Sequence, residues 1–172
     1  KNYYSEKRFG LVGDNFNNED TIKKLPGSYA IGHNRYSTTG GKILRNVQPF
    51  FADTNAGGIG VSHNGNFTNA ITLRKKLVED GAIFYTTSDS ETIVQLIARS
   101  KKDKNIDKII EAISQIQGGY ALVMLTKNIL IGARDIYGIR PLVIGKLNKS
   151  FVLASETCAL DIIGAEFIRE VE

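Results

Sequence analysis

Three polar clusters in this chain carry residue types that could do chemistry. The first is His33-Asn34-Arg35-Tyr36-Ser37-Thr38-Thr39-Gly40, an arginine at the end of an apolar stretch followed by a small, hydroxylated loop. A guanidinium there suits bidentate capture of a carboxylate, because its planar fork matches two carboxylate oxygens. A surface salt bridge is the ordinary alternative for Arg35. The second cluster is His63-Asn64-Gly65-Asn66-Phe67. A side-chain amide beside a glycine N–H offers two donors that can converge on one oxyanion. A plain turn between strand and helix would use the same residues. The third is Ser88-Asp89-Ser90-Glu91. Asp89 in the first turn of a helix gains from the helix dipole, and it could equally receive a substrate ammonium. Together, Arg35 for a carboxylate, Asp89 for an α-ammonium and Asn64 with Gly65 for an amide carbonyl turning tetrahedral outline an amino acid with a side-chain amide, such as glutamine.

Other chemical candidates are weaker. Ala56 to Gly60 is glycine-rich but lacks the Gly-Lys-Ser/Thr ending of a phosphate-binding loop, and Gly118-Gly119 precedes a strand. One cysteine and two histidines are few for a structural zinc site. Cys158 reads as a small core residue of a short helix, since nothing near it in sequence would activate a thiolate.

The elements that must position these clusters are legible from periodicity. Tyr29 to Tyr36 reads as a strand, with loop chemistry from Ser37 to Pro49. Gly57 to His63 reads as a strand ending in a sharp turn at Asn64-Gly65. Ala70, Ile71, Leu73, Leu77 and Val78 recur at helical spacing, and Gly81 is a natural stop. Ser88 and Glu91 have the spacing of a capping box for a buried helix through Ile93, Val94, Leu96 and Ile97. A further helix spans Ile106 to Ile116. Two hairpins follow, Gly119 to Arg134 and Pro141 to Ala154, and Glu156 to Ile163 reads as a closing helix stopped at Gly164. The order is strand, strand, three helices, four strands and a short helix. Without βαβ alternation, an α+β layered fold is favoured over a Rossmann sheet.

Composition narrows the class. The chain has 172 residues, 42% hydrophobic and 23% charged, near ordinary globular usage. That suits one domain, residues 1–172. No apolar run reaches the ~18 residues of a membrane helix, and no signal peptide is visible at Lys1. A single cysteine fits a reducing, cytoplasmic compartment. The net charge of +4 is dispersed rather than clustered, which disfavours nucleic acid; an RNA-binding module would show strongly salt-dependent retention.

Four ordered segments carry a resemblance: Gly32 to Gly40, His63 to Asn69, Thr86 to Glu91 and Arg134-Asp135-Ile136-Tyr137-Gly138-Ile139-Arg140-Pro141-Leu142, with Ala154 to Asp161 as a fifth. Over essentially its whole length the chain resembles the glutaminase domain of the amidophosphoribosyltransferase family. The resemblance implies a four-layer α/β/β/α sandwich of the N-terminal-nucleophile hydrolase type, incomplete at its N-terminus. It implies a cysteine nucleophile at a mature N-terminus, whose thiolate attacks the glutamine amide. By motif match, Asn64 and Gly65 take the oxyanion role, Arg35 binds the glutamine carboxylate, Asp89 binds the ammonium, and Thr38 falls in the loop that closes over substrate. Ammonia would pass to a phosphoribosyltransferase domain and convert phosphoribosylpyrophosphate to 5-phosphoribosylamine in purine biosynthesis. Mg²⁺ belongs to that second domain, and no metal is assigned here; an iron–sulfur cluster is left open. The resemblance also implies a homo-oligomer and no membrane partner. Residues 1–172 hold neither the N-terminal cysteine nor the second domain. Lys1 reads as a cut end, and the chain alone is expected to be inactive. The alternatives are the glutaminase domain of glucosamine-6-phosphate synthase, disfavoured by Tyr36-Ser37-Thr38-Thr39, and a non-catalytic glutamine-binding domain.

Overall fold

Apolar residues that alternate along two long strands stand on one side of a sheet, and helices with apolar stripes cover that side. The structure is a computed structural model and describes residues 2–35, 43–55 and 57–172. Along the chain come α1 (Val12–Asn15), α2 (Glu19–Lys23), a 3-10 turn at Leu44–Asn46, β1 (Phe50–Thr54), β2 (Gly57–Phe67), α3 (Ala70–Glu79), α4 (Ser90–Arg99), α5 (Asn105–Ile113), β3 (Gly118–Thr126), β4 (Leu130–Arg134), β5 (Val143–Leu147), β6 (Ser150–Ala154), α6 (Thr157–Ile163) and β7 (Glu166–Glu170). Two antiparallel sheets result, ordered β1-β2-β3-β4 and β6-β5-β7.

The larger core lies between the first sheet and α3–α5. Ile93, Ile97, Ile109 and Ala112 meet Val61, Leu122 and Met124, all buried. Each large side chain there contributes about 1.5–3 kcal/mol. A smaller core of Val143, Leu160 and Ala165 sits under α6 on the second sheet. The sheets face one another where Gly132 of β4 meets Leu142 and Leu153, and Arg134 reaches Glu170 across them at 3.0 Å. The layers are therefore helix, sheet, sheet, helix, as the resemblance implies. No helix is long and apolar enough to cross a membrane among the described residues.

Several elements depart from the periodicity. Residues 29–35 form no strand. The segment lies over the sheet, with Ile31 Cδ1 3.1 Å from where a Gly60 Cβ would stand, and the nearby β2 edge is already bonded by a Gln48 side chain. Asn64-Gly65 is not a turn, because β2 runs on to Phe67 in unbroken register with β3. β1 and β7 are strands that periodicity does not reveal. The capping box does not form. Glu91 instead accepts from Tyr85 N at 2.8 Å, Thr86 N at 2.7 Å and Thr86 Oγ1 at 2.7 Å. The stop at Gly81 does form, with Gly81 N bonded to Val78 O and Ala82 N to Leu77 O. Cys158 is exposed rather than core; Leu160 is the residue of α6 that faces the sheet.

Candidate functional site

The site is built on one edge of β2. β1 accompanies β2 only as far as Val61, so the edge beyond is open to side chains. His63 N donates to Gln48 Oε1 at 2.6 Å, and His63 O accepts from Gln48 Nε2 at 3.2 Å and lies 3.0 Å from His33 Nε2. Four residues on, Phe67 N donates to Asp89 Oδ2 at 3.0 Å. Strand alternation turns the Gly65 amide toward the same edge, between these two anchors. Asn64, one residue out of step, projects from the other face and is exposed.

Asp89 stands on a loop held from two sides. Glu91 grips the backbone at Tyr85 and Thr86. Asn46, 1% exposed, donates through Nδ2 to Thr87 Oγ1 at 2.9 Å and accepts from Thr87 N at 3.3 Å. The carbonyl of the same Asn46 accepts from Arg35 Nη1 at 3.3 Å. One buried asparagine therefore ties the expected carboxylate-binding cation to the loop of the expected ammonium-binding anion. Direct bonds thus link Asp89 to the strand of Asn64 and Gly65, and a short relay brings in Arg35. Thr38 lies outside the described residues.

His63, Ser90, Gln48 and Asp135 are partners that the sequence alone does not single out. His63 Nδ1 is 2.8 Å from Ser90 Oγ. Asp135, 3% exposed, accepts from the backbone amides of Tyr120, Tyr137, Ile139 and Arg140 at 3.0–3.4 Å. Burial pushes its carboxyl up, but those four amides more than offset burial and hold it below the usual value. Tyr120 is the register partner of Gly65, so the Arg134–Leu142 motif braces the strand behind the site. Acid-and-hydroxyl spacing points to Ser88 and Glu91 as a cap; the buried pairing of Ser90 with His63 spans 27 residues and leaves no local signal.

Burial lowers the His63 pKa from 6.5 to about 4, against the raising pull of Asp89 and with help from His33 and Arg140. Burial likewise lowers His33. A histidine whose folded pKa lies below its unfolded value leaves the unfolded state binding more protons between the two. Stability is therefore full near pH 7 and is lost as pH falls from about 6.5 to about 4. Unfolding by urea at pH 7 and at pH 4.5 is expected to show a loss of about 2 kcal/mol from His63, and His63→Phe is expected to flatten that part of the slope. A wild-type profile no steeper than the variant's would show that His63 is not held neutral.

A cavity of about 770 Å³ lies behind His33 and Gln48, walled by Tyr3, Phe16, Tyr29 and Phe50. Neither Asn64 nor Asp89 lines it, whereas His33 and Gln48, which bond the β2 edge, do. Cys158 bonds Glu156 at 3.4 Å. That bond, burial and the neighbouring carboxylates push its thiol pKa up, the wrong direction for a nucleophile. Among the described residues no group of three His, Cys, Asp or Glu could hold a metal ion. The Mg²⁺ of the implied second domain has no fitting site among them.

Comparison with known proteins places the chain beside glutamine amidotransferases. The glutamine amidotransferase domain family matches residues 33–161. The amidophosphoribosyltransferase of Rhizobium etli is 54% identical over 172 residues, covering 100% of this chain and 35% of its own. Among solved structures, the allosteric regulatory enzyme of purine biosynthesis superposes with a TM-score of 0.89 at 43% identity, over 95% of this chain and 35% of that one. The glutamine phosphoribosylpyrophosphate amidotransferase from B. subtilis complexed with ADP and GMP gives 0.87 at 41% identity, over 95% and 35%. The chain thus spans about a third of the length of the relatives it matches.

Proposed function

The chain belongs to the glutamine amidotransferase family, and on that premise we propose that it forms the glutamine-binding part of an amidophosphoribosyltransferase of purine biosynthesis. The observation that carries the reading is the bond from Phe67 N to Asp89 Oδ2. It seats a carboxylate at the edge to which Gly65 turns its amide, while Asn46 ties Arg35 to the same loop. A zwitterion with a side-chain amide finds a complement for each of its three polar ends.

In this mechanism Arg35 receives the substrate carboxylate through its guanidinium fork and Asp89 receives the ammonium. The amide carbonyl is thereby directed at Asn64 and Gly65. A thiolate attacks the carbonyl carbon, and the carbonyl electron pair moves onto oxygen. The Asn64 side-chain amide and the Gly65 N–H bind that oxyanion. Its collapse expels ammonia, with a proton delivered to the leaving nitrogen, and water then cleaves the thioester to glutamate. Cys158 does not supply the thiolate, so the reading requires one from outside residues 1–172. Delivery of ammonia to phosphoribosylpyrophosphate, its Mg²⁺ requirement, any oligomer and a cytoplasmic location are likewise parts of the proposal that concern the longer protein.

Arg35→Lys tests carboxylate capture. In the full-length protein it is expected to raise KM for glutamine about 10-fold with kcat little changed, because a point charge cannot reproduce the planar fork. An unaltered KM would remove Arg35 from the site.

A further inference from the structure

Building on the glutamine reading, we propose that His63 is a positioning residue: through the Ser90 hydroxyl it fixes the Asp89 carboxylate that receives the substrate ammonium. The ring is 3% exposed and stacked on Phe67 with centroids 4.2 Å apart, so its plane is locked. Nδ1 lies 2.8 Å from Ser90 Oγ, and Ser90 Oγ lies 3.4 Å from Asp89 Oδ1. The other carboxylate oxygen, Oδ2, is held by Phe67 N at 3.0 Å. Both oxygens of Asp89 are thus set by residues that touch the His63 ring.

The proton inventory gives the relay a direction. Gln48 Nε2, which can only donate, contacts Ser90 Oγ at 3.3 Å. A hydrogen on His63 Nδ1 also points at that oxygen and leaves the Ser90 proton for an acceptor. The Ser88 hydroxyl donates to Ser90 Oγ at 3.1 Å and so does not take the Ser90 proton, which the anionic Asp89 accepts. The opposite tautomer would place the hydrogen on Nε2, which is buried without a partner among the described residues. A buried N–H with no acceptor is a rarer defect than a buried lone pair with no donor.

Neutrality is part of the role. His63 Nδ1 is only 3.7 Å from Asp89 Oδ1. A protonated ring would pair with that carboxylate and compete with the substrate ammonium. Burial keeps it uncharged, with His33 and Arg140 acting in the same direction. The ring therefore orients Asp89 without neutralising it.

The test uses the full-length protein and two kinds of readout. Nitrogen-15 NMR of His63 is expected to show hydrogen on Nδ1; hydrogen on Nε2 would overturn the relay without any reference to activity. In glutamine hydrolysis, His63→Phe keeps the ring and its stack but has no donor. It is expected to raise KM for glutamine about 10-fold with kcat changed less than about twofold. His63→Asn places an amide N–H near the Nδ1 position and is expected to restore most of the loss. Ser90→Ala breaks the relay at its middle and gives the same expectation if His63→Phe does not fold. Asp89→Asn separates the two readings. If it raises KM while His63→Phe and Ser90→Ala do not, the relay is wrong and the glutamine site stands. If Asp89→Asn leaves KM unchanged, the glutamine reading of Asp89 falls, and the relay with it. Loss of kcat without rescue by His63→Asn would mark a merely structural histidine and also overturn the proposal.

Discussion

Asn64→Ala is expected to lower kcat for glutamine hydrolysis by ~10²–10³ in the full-length protein, with KM nearly unchanged. The expectation follows from where the side chain stands. Asn64 is exposed on β2, opposite Ala121 in the register, and among the described residues its amide bonds to nothing. Its removal leaves no orphaned partner, so stability should move by no more than about 0.5 kcal/mol. Loss of rate therefore cannot be ascribed to unfolding. An oxyanion donor acts only once charge has reached the carbonyl oxygen, so its loss falls on kcat rather than on binding. The contrast with Arg35→Lys is the useful part. Arg35 touches an end of the substrate that does not react, and its replacement should appear in KM. A kcat for Asn64→Ala within a few-fold of wild type would take Asn64 out of the oxyanion role.

The part of the site legible in the sequence is the part whose chemistry is local. An arginine before a hydroxyl-rich loop, an asparagine beside a glycine, and an aspartate at a helix start each announce themselves by neighbours one or two residues away. The strands and helices with a clear period, β3 to β6 and α3 to α6, are legible for the same reason. What the sequence hides is long-range. Gln48 bonds His63 across 15 residues and His63 bonds Ser90 across 27; neither pairing has a local pattern. The capping-box reading fails on the same ground, because Glu91 finds better donors in the amides of Tyr85 and Thr86 than at the expected cap. β7 has no buried residue at all, so it lacks the alternation that reveals a strand and exists by pairing with β5. Residue type alone would put Cys158 in the core, whereas α6 presents Leu160 inward and the thiol outward.

The Asn64-Gly65 pair shows how a special glycine can be noticed for the wrong physical reason. Asparagine followed by glycine suggests a turn that needs positive φ. Gly65 does have φ +137, yet it lies inside a strand paired to Tyr120. Residues four apart in a regular strand are about 13 Å apart, but the rings of His63 and Phe67 meet at 4.2 Å. The strand must therefore bend sharply between them, and Gly65 is where the backbone departs from the L-residue range. The glycine is needed for a bend and a close approach, and the turn comes after Phe67.

Gly65→Ala should accordingly be the most damaging single-carbon change in the site. A Cβ there would stand 2.2 Å from Gly119 O and 2.8 Å from Tyr120 Cα. Both are backbone atoms of the central paired strand, so no side-chain rotation relieves the clash. The strained φ adds about 1–3 kcal/mol, and forced overpacking about 1–3 kcal/mol more. A sum of about 2–6 kcal/mol is a large share of the roughly 5–15 kcal/mol typical of a domain's stability. Gly81→Ala provides the comparison, because Gly81 also has positive φ, +85, but a Cβ there would meet no atom within 4 Å. It should lose only the conformational part, about 1 kcal/mol. Urea midpoints of the two variants decide between the causes. A much larger loss for Gly65→Ala locates the requirement in the approach of β3, and the His63–Phe67 stack and the Phe67–Asp89 bond should be lost with it. Equal losses would mean that φ alone governs Gly65, and that the bend holding Asp89 against β2 does not depend on the missing side chain.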